Sequence, residues 1–421
     1  MLSRADNELL TRTNRGTPMG DYLRRYWMPC MLASEIPAPD APPVRLRLLG
    51  EDLIVFRDTS GRVGVMDEFC PHRLTSLYFG RVEEFGIRCV YHGWKFDVNG
   101  VCLEMPSEPA DSNFRNKVRA TAYPAIARGG LLWIYMGPKE AVAAIPEFEW
   151  LDLPAERLYA SRWEQECNSI QAMEGELDGA HVSFLHRRID QLDEAKNALT
   201  GSYFMEDMAP GWQIKDTDYG FVAANHRSVE DDKAYWRFNQ FLLPFYTMFA
   251  ARQGFARMSR MWVPKDDGHC WVIAVNFRPD RPLEDKELAA WKSGENTHRK
   301  VFPGTTQPTE NKANEYLIDR QMQKTVSFTG ISGIRAQDAM ATESPGPIVD
   351  RTREHLGSSD TAIIALRKRL IAEARALLDG GPQPRAACDP GLYRVRSHQT
   401  LLERNTTSFE GEEEVLQALR A

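Results

Sequence analysis

Two short pairs of residues carry the first chemistry in this chain. Cys70-Pro-His72 and Cys89-Val-Tyr-His92 stand sixteen residues apart in "CPHRLTSLYFGRVEEFGIRCVYHGWKFD". Each pair offers one sulfur and one nitrogen, so two hairpin tips could present four ligands to one centre. Structural zinc takes the same residue types, although zinc ribbons usually open on Cys-x2-Cys. A mixed-ligand [2Fe-2S] centre takes two thiolates on one iron and two imidazoles on the other, and its potential lies at roughly −150 to +300 mV. The Gly, Tyr and Trp around His92 bring backbone and hydroxyl groups suited to bonding cluster sulfurs. A second set lies in "NSIQAMEGELDGAHVSFLHRR". Asp178 and His181 are three apart and would share a helix face, whereas His186, five beyond His181, converges only if the helix loosens. Two imidazoles and a carboxylate form the facial triad of non-haem Fe(II) oxygenases, which leaves positions open for O2 and substrate. A His-x4-His pair standing alone is more often core or solvent decoration.

These residues need elements to hold them. The chain has 421 residues, 43% of them hydrophobic, enough for more than one core. The net charge is −7 and there is no long basic run, which argues against nucleic acid or an anionic membrane as partner. The start, "MLSRADNELLTRTNRG", has no apolar stretch of the kind that directs secretion, and "FNQFLLPFYTMFA" is too short to span a bilayer. Seven scattered cysteines suit a reducing cytoplasm with a metal site better than a disulfide framework. "GDYLRRYWMPCMLASEI" reads as a helix and then a strand. "VRLRLLGEDLIVFRDTSGRVGVMDEFC" alternates in strand fashion around turn signals, "KFDVNGVCLEM" reads as a hairpin and "GGLLWIYMG" as a closing strand. The expected division is an N-terminal helical segment over 1–42 packing on the catalytic domain, an all-β domain over 43–155, and a catalytic domain over 156–421. In the last, strands from Trp212 to Arg278 and the helix "DTAIIALRKRLIAEARALLDGG" predict an α+β fold.

The pairing of "CPHR" with "CVYHGWKFD" resembles the Rieske [2Fe-2S] motif of ring-hydroxylating oxygenases. The downstream pattern Asn168, Gln171, Glu174, Asp178, His181, His186 is similar to the segment that carries the mononuclear iron in that family. "ESPGPIVDRTREHLGSSD" and "QFLLPFYTMF" resemble its phthalate and phenoxybenzoate dioxygenase branch. The resemblance implies a helix-grip (START-like) catalytic domain with a curved antiparallel sheet. It implies Cys70, His72, Cys89 and His92 as cluster ligands, and His181 and His186 as ligands of a mononuclear Fe(II). The third iron ligand it implies is Asp338, with Glu343 and Asp350 as competitors; Glu343 better suits a helix cap or a bond behind the site. Asp178 would bridge electrons to the cluster histidine of a neighbouring subunit. Glu174 stands where the family often has an amide near the iron. The branch implies trimers or stacked trimers of one chain type, O2 as co-substrate, and electrons from a separate flavin and [2Fe-2S] reductase, so that NAD(P)H enters only indirectly.

The resemblance also implies a small aromatic substrate, a carboxylate or an aryl ether. "KAYWRFNQFLL" places Tyr235, Arg237, Asn239 and Phe241 on one strand face. Arg237 suits bidentate recognition of a carboxylate; surface pairing with Glu230, Asp231 or Asp232 is the plainer role for it. Asn168 is a second substrate-side candidate, and His226 and Arg227 are further alternatives. The remaining cysteines read as ordinary thiols. An electron carrier with a ligand-binding domain would use the four Cys/His residues alone, and a zinc-stabilised binding protein would lack a coloured centre.

Overall fold

A computed structural model describes residues 2–36, 38–190, 203–229, 232–250, 254–294, 296–408 and 411–418. The chain divides into two compact units, one of Thr13–Val142 and one of Met1–Arg12 with Ala143–Ala421.

In chain order, α1 is Arg4–Thr11 and α2 is Pro18–Leu23. Strands β1 to β4 follow as Trp27–Leu32, Val44–Leu48, Glu51–Arg57 and Val63–Asp67. Next come β5 (Arg81–Glu83), β6 (Gly86–Arg88), β7 (Lys95–Phe96), β8 (Cys102–Glu104), β9 (Ala125–Arg128) and β10 (Leu131–Tyr135). In the smaller unit these strands make three antiparallel sheets, β1-β10-β9, β2-β3-β4 and β5-β6-β7-β8. Polar turns close the hairpins as their sequences predict. Asp97 Oδ1 accepts from the backbone N–H groups of Asn99 and Val101, and Gly100 takes the left-handed conformation there. The core gathers Ile54, Phe56, Met66, Leu77, Ile87, Trp94 and Phe96, and the sulfurs of Cys70 and Cys89 are buried in it.

The larger unit is built on β11 (Leu158–Gln165), α3 (Ser169–Leu177), α4 (Tyr203–Glu206) and the strands β12 to β17. Those strands are Gly211–Thr217, Gly220–Val229, Lys233–Leu242, Tyr246–Met248, Arg257–Asp266 and His269–Phe277. Then come α5 (Asp285–Lys292), α6 (Arg320–Thr325), α7 (Ile334–Glu343), α8 (Thr361–Leu378), the short helix α9 (Arg385–Cys388) and β18 (His398–Glu403). One antiparallel sheet runs β11-β17-β16-β15-β14-β13-β12, and β18 pairs with β14. Helix α3 packs on β16, β17, α7 and α8. Helix α8 carries its apolar residues, Ile363, Leu366, Leu370 and Ala374, at helical spacing on the buried side. Among the described residues no helix is long and apolar enough to cross a membrane.

The expected domain limits need correction at both ends. Residues 13–42 belong with the smaller unit, because β1 pairs with β10 from Trp27↔Tyr135 to Leu32↔Leu131. Residues 143–155 belong with the larger one: the Glu147 N–H donates to the Pro390 carbonyl at 3.0 Å, and Phe148 meets Tyr246 and Tyr393 edge-on. Only the first twelve residues of the expected N-terminal segment group with the larger unit.

Candidate metal centres

In the smaller unit Cys70 and His72 lie on the loop after β4, and Cys89 and His92 on the loop between β6 and β7. Each loop closes on itself, Leu74 N–H donating to the Cys70 carbonyl and Gly93 N–H to the Cys89 carbonyl. Gly93 has φ +76°, and a Cβ there would meet Pro106 at 2.6 Å, so the second loop needs glycine. The two imidazoles meet edge-on with ring centres 4.4 Å apart, and Trp94 stacks on His72 at 4.2 Å. Burial first, and then the neighbouring Cys89, push the Cys70 thiol up to about 12. Sulfur thus lies beside sulfur in the core, and ring meets ring on the more exposed side. That pairing suits a binuclear centre with two thiolates on one iron and two imidazoles on the other. Among the described residues, the four do not gather as closely about one point as the trio in the larger unit does.

That trio is His181, His186 and Asp338, whose ligand atoms lie within 4.8 Å of one another. Helix α3 starts at the N-cap Asn168 and stops at Leu177, so Asp178 is its C-cap rather than a helical residue. Arg227, buried, donates to the Gly179 carbonyl at 2.5 Å, and His181 then sits in a 3-10 turn. This break supplies the loosening that the five-residue offset demanded. The Nε2 atoms of His181 and His186 come to 3.2 Å of each other, and to 3.5 and 3.1 Å of Asp338 Oδ1. Gln337 orients His186 from behind: its Nε2 donates to the Ile331 carbonyl at 2.8 Å, which leaves Oε1 to accept from His186 Nδ1 at 2.7 Å. The second ring nitrogen is thus protonated and the lone pair of Nε2 faces inward, as a metal ligand requires. Burial opposes a charge on His181, yet Asp178 and Asp338 overcome it and raise the ring to about 10. Burial likewise opposes ionisation of Asp338, but His186, His181 and Arg335 hold it well below the usual carboxylate range. Two imidazoles and an anion facing one point make a cation site.

The trio opens on a cavity lined also by Asp178, Phe204, Arg237, Phe249 and Arg335. A larger groove of about 1030 Å³, between Tyr203, Tyr235, Arg257 and Arg396, contains none of the trio, so donor chemistry rather than size identifies the site. Asp178 accepts from the Ala180 N–H at 2.7 Å, and its Oδ2 lies 3.6 Å from His181 Nδ1. Arg237 is buried, donates to the Ala250 carbonyl at 2.9 Å, and leaves its Nε without a hydrogen-bond partner among the described residues. It does not pair with Asp232, whose carboxylate lies against Arg404 at 3.6 Å. Glu230 and Asp231 lie outside the described residues. His226 stacks on Trp236, and Arg227 serves the Gly179 turn.

Two other expectations are corrected. Asn168 does not line the cavity; its amide donates to the Thr11 and Asp267 carbonyls while its Oδ1 caps α3. Glu174 is not beside the trio either, because it accepts from Arg367 at 2.7 Å and Arg351 at 3.1 Å on the far side of α3. Glu343 accepts from Tyr316 and from the Glu166 N–H, and Asp350 caps a 3-10 turn; neither joins the trio. Arg335, Glu176 and Gln337 escaped the sequence reading, although Arg335 stands three before Asp338 on one helix face.

Burial raises the Glu174 pKa, and its arginines more than reverse this, holding the carboxylate below its ordinary range. Its contribution to stability is therefore present above the ordinary glutamate pKa and is lost as pH falls through the lowered one. Glu174→Ala is expected to cost about 3 kcal/mol in urea unfolding by stranding buried arginines, while the His181–His186–Asp338 geometry persists in the folded fraction. Unchanged stability would deny the cluster its structural role.

A family model described as Rieske [2Fe-2S] domain matches residues 26–124, and one described as LigXa C-terminal domain like matches residues 134–415. The chain is 40% identical over 402 residues to the 3-chlorobenzoate-3,4-dioxygenase oxygenase subunit of Comamonas testosteroni, covering 92% of each. It is 39% identical over 395 residues to the phthalate 4,5-dioxygenase oxygenase subunit of Pseudomonas putida, covering 90% of this chain and 88% of that one. Dicamba monooxygenase bound to dicamba shares the fold at a TM-score of 0.60 and 16% identity, over 85% of this chain and 99% of that one. The chain therefore belongs to the Rieske ring-hydroxylating oxygenases and is the oxygenase component of such a system, with a Rieske [2Fe-2S] cluster and a mononuclear iron as its cofactors.

Proposed function

We propose that this oxygenase acts on a small aromatic carboxylate, and that Arg237 receives the acid group. The observation that carries this reading is the buried Nε of Arg237, without a partner among the described residues, in the wall of the cavity that His181, His186 and Asp338 share. A buried guanidinium donor without a partner is costly unless a ligand or water meets it, and a carboxylate is its best match. Phe204 and Phe249, with ring centres 5.3 and 5.8 Å from that guanidinium, offer apolar faces to an aromatic ring.

Cys70, His72, Cys89 and His92 would hold the cluster, and His181, His186 and Asp338 the mononuclear iron. Bound there, the two centres supply single electrons and O2 activation. The chain's own part is to orient and exclude. Arg237 would fix the acid group so that one ring edge faces the trio, and Phe204 and Phe249 would keep water from the reacting carbon. Gln337 holds His186 in the tautomer that ligates. Asp178 would carry the hydrogen-bonded link to the cluster histidine of a partner subunit, in a trimer or stacked trimers. A flavin and [2Fe-2S] reductase would deliver electrons from NAD(P)H, in the cytoplasm.

The test is turnover of a panel of aromatic acids, their amides and aryl ethers with a generic reductase, products being identified by mass. Acids should dominate. Arg237→Met should remove a charged hydrogen bond worth roughly 1.5–3 kcal/mol, lowering kcat/KM for acids about 10- to 100-fold, mostly through KM. Equal turnover of acids and amides by the parent protein, or an Arg237→Met variant with unchanged KM, would end the carboxylate reading.

A further inference from the structure

Asp338 shows two different oxygens to its surroundings. Oδ1 is the atom that both imidazoles approach, at 3.1 and 3.5 Å. Oδ2 is turned the other way and accepts from Arg335 Nη1 at 3.1 Å. The same Nη1 donates to Glu176 Oε2 at 2.5 Å, so one guanidinium nitrogen ties together a carboxylate from α3 and one from α7. All three side chains are largely buried, with 8, 3 and 14% exposure for Arg335, Glu176 and Asp338. Arg335 Nη1 is thus committed to two protein carboxylates, whereas its Nε, like that of Arg237, has no hydrogen-bond partner among the described residues.

We propose that Arg335, backed by Glu176, is a positioning residue that holds Asp338 to one-oxygen ligation of the mononuclear iron. This rests on the reading that the trio is the iron site. A free carboxylate can close on a metal with both oxygens. One whose second oxygen already accepts a charge-assisted hydrogen bond turns a single oxygen to the metal and leaves a further coordination position open. Glu176 makes this arrangement tolerable. An unbalanced guanidinium in a buried wall would repel a divalent cation, whereas the Arg335–Glu176 pair is neutral. The i, i+3 spacing of Arg335 and Asp338 on α7 sets the contact, and Glu176, two residues before the break in α3, reaches it from the other side.

The experiment compares Arg335→Gln and Arg335→Lys in the full chain loaded anaerobically with Fe(II). Each is probed by the EPR line shape of its nitric oxide adduct, by iron retention against a chelator, and by kcat and KM. Arg335→Gln should keep the Rieske spectrum and its iron, change the rhombicity of the adduct signal, and lower kcat about 10-fold with KM little moved. Arg335→Lys, which keeps a charged donor, should restore the line shape and most of the rate. A parental line shape and kcat in Arg335→Gln would overturn the proposal, as would a lysine variant no better than the glutamine one. If the parent protein itself takes up no mononuclear iron, the site reading fails first, and that result is distinct from either.

Discussion

Asp178→Asn is expected to keep the cluster colour and the full iron content while losing at least about 100-fold in kcat, close to 3 kcal/mol of barrier. The substitution is nearly isosteric, and the retained amide oxygen can still accept from the Ala180 N–H that Oδ1 accepts from now. The turn that delivers His181 should therefore survive. What changes is the second atom. Oδ2 faces His181 Nδ1 at 3.6 Å, and the side chain is 29% exposed, so the carboxylate can also accept from a group arriving from outside. An amide NH2 in its place offers donors where two imidazole N–H groups need an acceptor. Burial alone would raise the Asp178 pKa; the hydrogen bond and charge of His181, with the backbone donors, lower it, so the acceptor is ionised across the physiological range. The decisive measurement is single-turnover oxidation of the reduced cluster in the presence of substrate. It should slow in step with kcat, whereas chemical reduction of the cluster should not. Normal rates in Asp178→Asn would take this residue out of the electron path.

The legible parts of this molecule are those whose cause is local. Cys70, His72, Cys89 and His92 stand at hairpin tips a few residues from the turns that place them, and their spacing is their signal. The pattern from Asn168 to His186 announced a metal segment. Its composition reads as helix straight through Asp178, however, and the break after Leu177 is held by Arg227, from a strand of the sheet, donating to the Gly179 carbonyl. No local rule contains that contact. Asn168 and Glu174 were misplaced for a related reason. Position along α3 does not say which way a residue faces. At about 100° per residue, Glu174 and Glu176 point roughly 200° apart, one toward Arg351 and Arg367 and the other toward Arg335. Asp338 became a candidate only through family resemblance, since its partners lie far upstream, beyond the end of α3. The Arg335–Glu176 pair, on the page as two ordinary charges, takes its meaning from the packing of α7 on α3. The same limit moved the domain boundary, because β1 finds its partner β10 more than a hundred residues downstream.

His181→Ala should remove the mononuclear iron and leave the Rieske centre untouched. Iron content should fall from about three atoms per chain to about two, and turnover should drop to the uncatalysed background. The expectation follows from how few donors converge. With the His181 Nε2 gone, His186 and Asp338 remain, and two protein ligands hold a divalent ion far more weakly than three. Folding should not suffer in proportion. His181 occupies a 3-10 turn at the cavity wall, and among the described residues its Nδ1 meets Asp178 Oδ2 only at 3.6 Å. Its truncation also removes a ring that two carboxylates drive toward protonation, so the metal-free variant should lose a proton-binding group with an affinity near pH 10. In the parent protein metal must displace that proton, which makes Fe(II) binding weaken as pH falls from about 10; in the variant this pH dependence should shrink along with the affinity. Titration with Fe(II) under anaerobic conditions at two pH values, read beside the visible spectrum of the cluster, gives both results at once. A variant that retains the full iron complement with a parental pH dependence would show that His181 is not a ligand, and the trio would then have to be rebuilt around His186 and Asp338 with another donor from the cavity wall.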